Sequence, residues 1–183
     1  MSRRVPGGDP AVSTTRSSRE RRLAHGAREV AMTNRQSDLN GLAKGFVERL
    51  NRHDAEALRD LLDRAYVNHN PYVSDAPGPE SAVGFFADWL VAFPDATVVC
   101  EDAFAIGTPA DGTLVGRFTY LGTFTNPIFG MPPTGKRVVM RSIDIWRVRD
   151  GRLAEHWDEL NTADWFAQLQ GAEPQPRTGA TSA

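Results

Sequence analysis

Apolar and polar positions follow a helical rhythm in the first part of this chain and an alternating one in the second. Leu39, Leu42, Ala43, Phe46, Val47 and Leu50 recur at helical spacing behind Ser37-Asp38, a pair suited to cap a helix start. A helix is therefore expected from Leu39 to Asn51. A second is expected from about Asp54 to Leu62, followed by a short extended segment, Ala65 to Asn70, that Pro71 ends. Val83, Phe86, Leu90 and Phe93 form one stripe of a third helix between Gly78 and Phe93. From Thr97 the pattern changes to strands, near 97–106, 112–124, 137–149 and 153–160, and a last helix begins after Asn161 and ends near Gln170. Asn126 to Gly135, rich in Pro and Gly, reads as a long irregular connection. Helices first and antiparallel strands after them argue for α+β, with a sheet that curls and helices that close one side over a pocket.

The last two strands read as a hairpin around Arg149-Asp150-Gly151, and they carry Asp144, His156 and Asp158 where a sheet interior should be apolar. The turn decides which side chains meet. A loop of Asp150-Gly151 alone pairs Arg149 with Arg152 and sends Asp144 and Asp158 to opposite faces. A three-residue loop with Gly151 left-handed in a G1 bulge pairs Val148 with Arg152 instead. Asp144 then lies opposite His156 and Ser142 opposite Asp158, all on one face. We favour that register, because Gly follows Asp where such a loop needs it.

Charge divides the chain. Residues 1–36 hold eight Arg and three acids, whereas the remaining residues hold thirteen basic and twenty acidic side chains. The first 36 residues, with their Ser, Gly, Pro and Arg, read as a basic disordered tail, residues 37–171 as the folded domain, and 172–183 as a flexible end. An acidic domain makes a poor nucleic-acid surface, so no nucleic-acid partner is expected. The tail has no apolar run for a secretory signal or membrane span, which points to a cytoplasmic protein without a membrane partner. Met32, just before the folded pattern, is an alternative start of translation. One cysteine, Cys100, gives no disulfide within the chain and no cysteine-based metal cage. Asn68-His69-Asn70 is a weak metal signal beside the ordinary reading of polar groups at a strand end. Neither a metal nor another cofactor is expected.

Several motifs in order resemble the SnoaL-like polyketide cyclases. They are Leu121-Gly122-Thr123-Phe124, Phe129-Gly130-Met131-Pro132-Pro133-Thr134-Gly135-Lys136, Ile143-Asp144-Ile145-Trp146-Arg147, and Asp150-Gly151-Arg152-Leu153-Ala154-Glu155-His156-Trp157-Asp158. Tyr66-Val67-Asn68-His69-Asn70-Pro71 and Ala92-Phe93-Pro94-Asp95 fit the same pattern upstream. The resemblance covers roughly Leu39 to Gly171. It implies the nuclear-transport-factor-2-like fold, a cone-shaped α+β barrel around an apolar cavity, and a ring closure by intramolecular aldol chemistry without metal or cofactor. Asp158 matches the general acid/base of those cyclases, and Asn68 a pocket asparagine. Asp144 and Phe124 stand where family members carry histidines, so His156 is left to supply an imidazole on the same face.

The chemistry also follows from the residues. An aldol closure needs a base for an acidic carbon and a donor for the alkoxide that forms. A buried carboxylate whose pKa is raised toward neutrality can serve. Two carboxylates on one face resist ionising together, which favours one protonated and one ionised form. We therefore take Asp158, Asp144 and His156 as candidate catalytic residues. Asn68, Tyr66, Trp89, Tyr120, Phe124, Ser142, Trp146 and Trp157 are candidates for contact with a small apolar or aromatic substrate. The leading reading is a cofactor-independent cyclase or isomerase acting on a polyketide-like carbonyl compound of secondary metabolism. Its alternatives are an epoxide hydrolase or hydroxylase-type enzyme on the same fold and a non-catalytic ligand-binding module. A hydrolase would want an arginine between the two aspartates, and Arg141 is expected on the opposite face. A homodimer is expected through the outer sheet face, where Val139, Ile143 and Ile145 lie.

Overall fold

The computed structural model describes Arg22, His25 and residues 39–175. The chain divides into two units between Thr33 and Asn34. Of the first, Arg22 and His25 alone are described, both helical and exposed. All that follows concerns the second. The tails expected over 1–36 and 172–183 otherwise lie outside the described residues, apart from the irregular stretch 172–175.

Helix α1 covers 39–51 and buries Leu39, Ala43, Phe46 and Leu50, the stripe that periodicity marks. His53, at φ 57°, turns the chain out of it. The helix expected over 54–62 is a single 3-10 turn, Glu56–Asp60, started by Asp54 Oδ1 accepting from the Ala57 amide at 3.0 Å. It stops early because the sheet claims the next residues: the Leu153 amide donates to the Leu61 carbonyl at 2.8 Å and Leu62 pairs with Leu153. Strand β1 is therefore Leu62–Asn68, beginning before Ala65. After it come helix α2 (Glu80–Ala92), β2 (Thr97–Gly107), β3 (Asp111–Thr123), β4 (Arg137–Arg149), β5 (Arg152–Leu160) and helix α3 (Thr162–Leu169).

The strands form one sheet in the order β1-β5-β4-β3-β2. Neighbours are antiparallel except β1, which runs parallel to β5, so the sheet is mixed rather than wholly antiparallel, and it is open. β4 alternates strictly: Val138, Met140, Ser142, Asp144, Trp146 and Val148 are buried, while Ile143, Ile145 and Arg147 face out. Helices α1 and α2 cover the inner face. Phe46 packs against Phe86, Phe118 and Trp146 with ring centroids 5.4, 5.7 and 5.7 Å away. Beyond the end of β5, α3 takes over the free edge of β4. Gln168, fully buried, accepts from the Val139 amide at 2.7 Å and donates to the Val139 carbonyl at 3.0 Å, as a strand neighbour would.

The hairpin register differs from expectation in a way that leaves the faces unchanged. Asp150 (φ 48°) and Gly151 (φ 74°) are both left-handed, so the loop is the two-residue turn and Arg149 pairs with Arg152. No G1 bulge forms. One residue further along, β5 bulges instead: Val148 pairs with Leu153 but Arg147 with Glu155, which leaves Ala154 extra. That single insertion returns Asp158 to the face of Asp144. The pairs are then Asp144 with Asp158, Trp146 with His156 and Ser142 with Leu160.

Candidate active site

β4 and β5 place Asp144, His156 and Asp158 side by side under the helices. Each offers a ligand or proton-bearing atom within 4.8 Å of the others. Asp144 is fully engaged. His156 Nε2 lies 2.9 Å from its Oδ1, and the Ser142 hydroxyl donates to its Oδ2. Across the strand pair, Gly116 of β3 faces Asp144 with no side chain, and a Cβ there would run 2.4 Å from the Phe118 ring. The missing side chain lets the ring pack beside the buried acid. His156 also lies 3.2 Å through Nδ1 from Asn68 Oδ1, and that oxygen accepts from the Asn70 amide at 3.0 Å. Both ring nitrogens thus lie within hydrogen-bond distance of side-chain oxygens, which fixes the ring's orientation. The Trp146 ring stacks on His156 at 5.0 Å.

Asp158 is built differently. Asn70 Nδ2 donates to its Oδ2 at 2.6 Å, while its Oδ1 is buried without a hydrogen-bond partner among the described residues. Burial is the largest influence on this carboxyl and pushes its pKa above the ordinary carboxylate range; the charge of Asp144 adds to the rise, while His156 and the Asn70 hydrogen bond oppose it. Asn70 itself is fixed by its own Oδ1, which accepts from the Tyr72 amide at 2.7 Å. Burial raises the phenols of Tyr66 and Tyr120 too, so both stay protonated. Tyr120 and Tyr66 both line the chamber beside the acids. The result is a polar track, Asn70–Asn68–His156–Asp144, along one wall of an otherwise apolar chamber, with Ser142 behind Asp144. The open space is about 40 Å³.

Of the expected contact residues, Asn68, Tyr66, Tyr120 and Trp146 line this chamber together with Asp144, His156 and Asp158. Ser142 stands behind Asp144, buried, and does not line it. Three expectations are corrected. Trp89 is buried on α2 against Phe93 and Tyr120 and belongs to the core. Phe124 is fully buried against Phe93, with ring centroids 5.5 Å apart. Trp157 follows His156 on β5 and must face the other way, and there it stacks on His69 at 4.9 Å. His69 also meets Glu155 at 3.0 Å on the outer side, so Asn68, His69 and Asn70 do not converge on one point. Arg147 likewise reaches Glu155, at 3.3 Å, and Arg141 lies 3.8 Å from Asp164; neither lines the chamber. Asn70 was legible as a neighbour of Asn68 but not as the partner of Asp158, because that contact joins residues 88 apart in sequence. Phe46, Phe85 and Phe86 also line the chamber. Asp144, His156 and Asp158 stand close enough to share a cation, and the carboxylate–imidazole contact serves equally as a hydrogen bond.

An open mixed sheet, helices over its inner face and a carboxylate–imidazole cluster beneath them define the class of domain. The SnoaL-like polyketide cyclase model matches residues 41–169, and the chain belongs to that family. It is 28% identical over 142 residues to the aklanonic acid methyl ester cyclase DauD of Streptomyces sp. (strain C5), covering 74% of this chain and 83% of DauD. Among solved structures, TsrD from Streptomyces laurentii superposes with a TM-score of 0.63 at 27% identity, over 75% of this chain and 97% of TsrD. IdmH from Streptomyces antibioticus, provisionally a polyketide cyclase, gives 0.58 at 31% identity, over 72% and 98%. No helix among the described residues is long and apolar enough to cross a membrane.

Proposed function

We propose that the chamber is the active site of a cyclase that closes a ring by acid/base aldol chemistry on a polyketide-like carbonyl substrate, without a cofactor. The observation that carries this reading is the unequal pair of carboxylates. Asp144 has both oxygens occupied, whereas Asp158, which lines the chamber, keeps a buried Oδ1 without a partner among the described residues. Asp158 takes the proton from an activated carbon of the substrate. The resulting enolate carbon attacks a ketone of the same molecule, a C–C bond forms, and the ketone oxygen becomes an alkoxide. The protonated Asp158, or the His156 imidazolium, returns a proton to that oxygen, so the product is an isomer of the substrate. Asp144 orients the His156 ring, and Tyr66 and Tyr120 offer neutral hydroxyls at the wall.

The name of the relative DauD supplies the first compound to try. Purified protein is incubated with aklanonic acid methyl ester, and an isomer of equal mass and new retention time is sought. Ring closure lost in Asp158→Asn supports the reading. Saturable binding of the ester with no isomer formed would favour the ligand-binding alternative. We further propose a homodimer formed through the outer sheet face. Phe104, Val115, Ile145 and Trp157 make one cross-strand row there, and Phe104 and Ile145 are exposed.

A further inference from the structure

One side chain meets both the half-held acid and the wall in front of it. Asn70 is buried just past the end of β1, where the chain leaves the sheet and crosses to α2. Its Nδ2 donates to Asp158 Oδ2 at 2.6 Å, so that carboxyl has Oδ2 tied and Oδ1 without a partner among the described residues. Its Oδ1 accepts from the Tyr72 amide at 2.7 Å and its carbonyl from the Val73 amide at 3.3 Å, which closes the turn 70–73. Val73, at the end of that turn, lines the chamber together with Asn70 and Asp158. The wall has to move for a substrate to enter. The open space of about 40 Å³ has room for a few waters, whereas pockets for organic ligands run to about 300–1,000 Å³. Residues 69–79 carry no helix or strand, so this strap is the least regular part of the wall. Its far end is Gly78, left-handed at φ 66°, where a Cβ would lie 2.6 Å from the Arg64 carbonyl oxygen.

We propose that Asn70 is a positioning residue that couples the 71–78 strap to Asp158, so that the acid is held with Oδ1 toward the reacting carbon only while the strap closes the chamber. Swinging Val73 out of the wall pulls on the turn that Asn70 closes, and through it on the Asn70–Asp158 bond. The carboxyl is then free to rotate, and its working oxygen is no longer fixed. When the strap returns over a bound substrate the bond re-forms, which confines proton transfer to the closed chamber. The ionisable groups around Asp158 are His156 and Glu159 on its own strand, Asp144 on β4, and the phenols Tyr66 on β1 and Tyr120 on β3. The helices contribute only apolar side chains to the lining, among them Phe46, Ala82 and Phe86. A change at Asn70 alters none of these groups, so the titration of Asp158 reads the Asn70 contact. The inference rests on the cyclase reading for what Oδ1 does, but not for the coupling of strap to acid.

The test separates the donor of Asn70 from its acceptor. Asn70→Asp keeps an oxygen for the Tyr72 amide but loses the N–H that Asp158 receives, whereas Asn70→Ala loses both. The full chain is labelled with ¹³C at the aspartate carboxyls, and the Asp158 signal is identified by its absence in Asp158→Asn. It should titrate at higher pH in both variants, because the donor that favours the ionised form is gone; in Asn70→Asp a second carboxyl also shares the proton. The Tyr72 amide should exchange with solvent about tenfold faster in Asn70→Ala and at nearly the wild-type rate in Asn70→Asp. Turnover should fall roughly tenfold to a hundredfold in both, in kcat more than in KM. In the wild type itself, the Tyr72 amide shift should follow the titration of Asp158, a readout that needs no variant to fold. An Asp158 titration unmoved by either change, a Tyr72 amide indifferent to Asp158, or wild-type turnover in Asn70→Asp would each overturn the proposal. If the titration and the exchange respond as expected but the methyl ester yields no isomer, the coupling stands and the cyclase reading falls. Ring closure that persists in Asn70→Asp with an unmoved titration does the reverse.

Discussion

The two faces of the β4–β5 hairpin invert the usual rule. The inner face carries Ser142, Asp144, His156 and Asp158 in the interior, whereas the outer face shows Ile143 and Ile145 at 52% and 41% exposure. Polar groups inside and apolar groups outside each cost free energy, so each asks for a compensating role. Inside, the cost is met unequally. The Ser142–Asp144–His156–Asn68 track satisfies its members with one another, whereas Asp158 beside it keeps a buried oxygen without a partner among the described residues. Outside, the apolar row runs between rows that hold Arg147 with Glu155 and Arg117 with Glu159, the polar-rimmed pattern of an interface. One hairpin thus carries the proposed reaction site on one side and the proposed dimer surface on the other.

The sharpest way to break this comparison is to remove the acid from the inner face. Asp158→Asn keeps size and the Asn70 contact but cannot exchange a proton. Turnover should fall by ~10²–10⁴, with binding of a product analogue little changed. Near-wild-type turnover in a folded variant would remove Asp158 from the mechanism. Added chelator should leave the wild type unaffected; an equal loss on chelation would instead assign the Asp144, His156 and Asp158 cluster to a metal.

Asp144→Asn probes the satisfied half of the same face. It discharges the partner of His156 and replaces a carboxylate oxygen with a donor facing either Ser142 or the imidazole. A destabilisation of about 1–3 kcal/mol is expected, with turnover reduced about tenfold because His156 loses its orienting charge. Denaturant midpoints read the first and steady-state rates the second. A variant as stable as the wild type would show that the track is not what holds Asp144 in place.

How much of this was legible in the sequence follows the physics of each element. The stripe Leu39–Leu50 and the alternation of β4 are local patterns, and they gave α1 and the inward set Ser142, Asp144 and Trp146. The shared face of Asp144 and Asp158 was reached by the wrong register. A G1 loop, and a two-residue turn followed by a bulge at Ala154, have the same parity, and nothing local announces that bulge. Trp157 is aromatic, but its position next to His156 on β5 turns it to the outer face, where it stacks on His69. The place of Trp89 depends on how α2 is rotated over the sheet, and that of Phe124, just past β3, on its packing against Phe93; both are long-range outcomes. The Asn70–Asp158 contact, 88 residues apart in sequence, escapes a local reading on the same ground.

The outer face yields the next effect in size. Ile145→Asp puts a charge in the middle of the Phe104–Val115–Ile145–Trp157 row. If that row is buried between two copies, the wild type should scatter light as twice its 20.1 kDa at micromolar concentration, and the variant as a single chain. Turnover should stay within a few-fold, since Ile145 points away from the chamber. A wild type that is already monomeric would leave the exposed row without the role proposed for it.

The smallest expected effect is on stability, and its sign separates the two faces once more. The carboxyl of Asp158 has a folded-state pKa above its ordinary value, raised first by burial. The unfolded chain therefore releases this proton before the folded one does as pH rises. The group favours the folded state below the ordinary carboxylate pKa, near 3.9, and that contribution disappears as pH climbs through the raised folded value. Above that value the wild type carries a partly buried charge that Asp158→Asn lacks. The variant should melt higher than the wild type at pH 7, by roughly a few degrees, and the margin should close as the pH falls toward about 4. Its amide can still accept from Asn70, so little is lost on that side. A margin that stays constant across this range would mean that ionisation of Asp158 is not what the fold works against, and the acid would have to be sought elsewhere along the polar track.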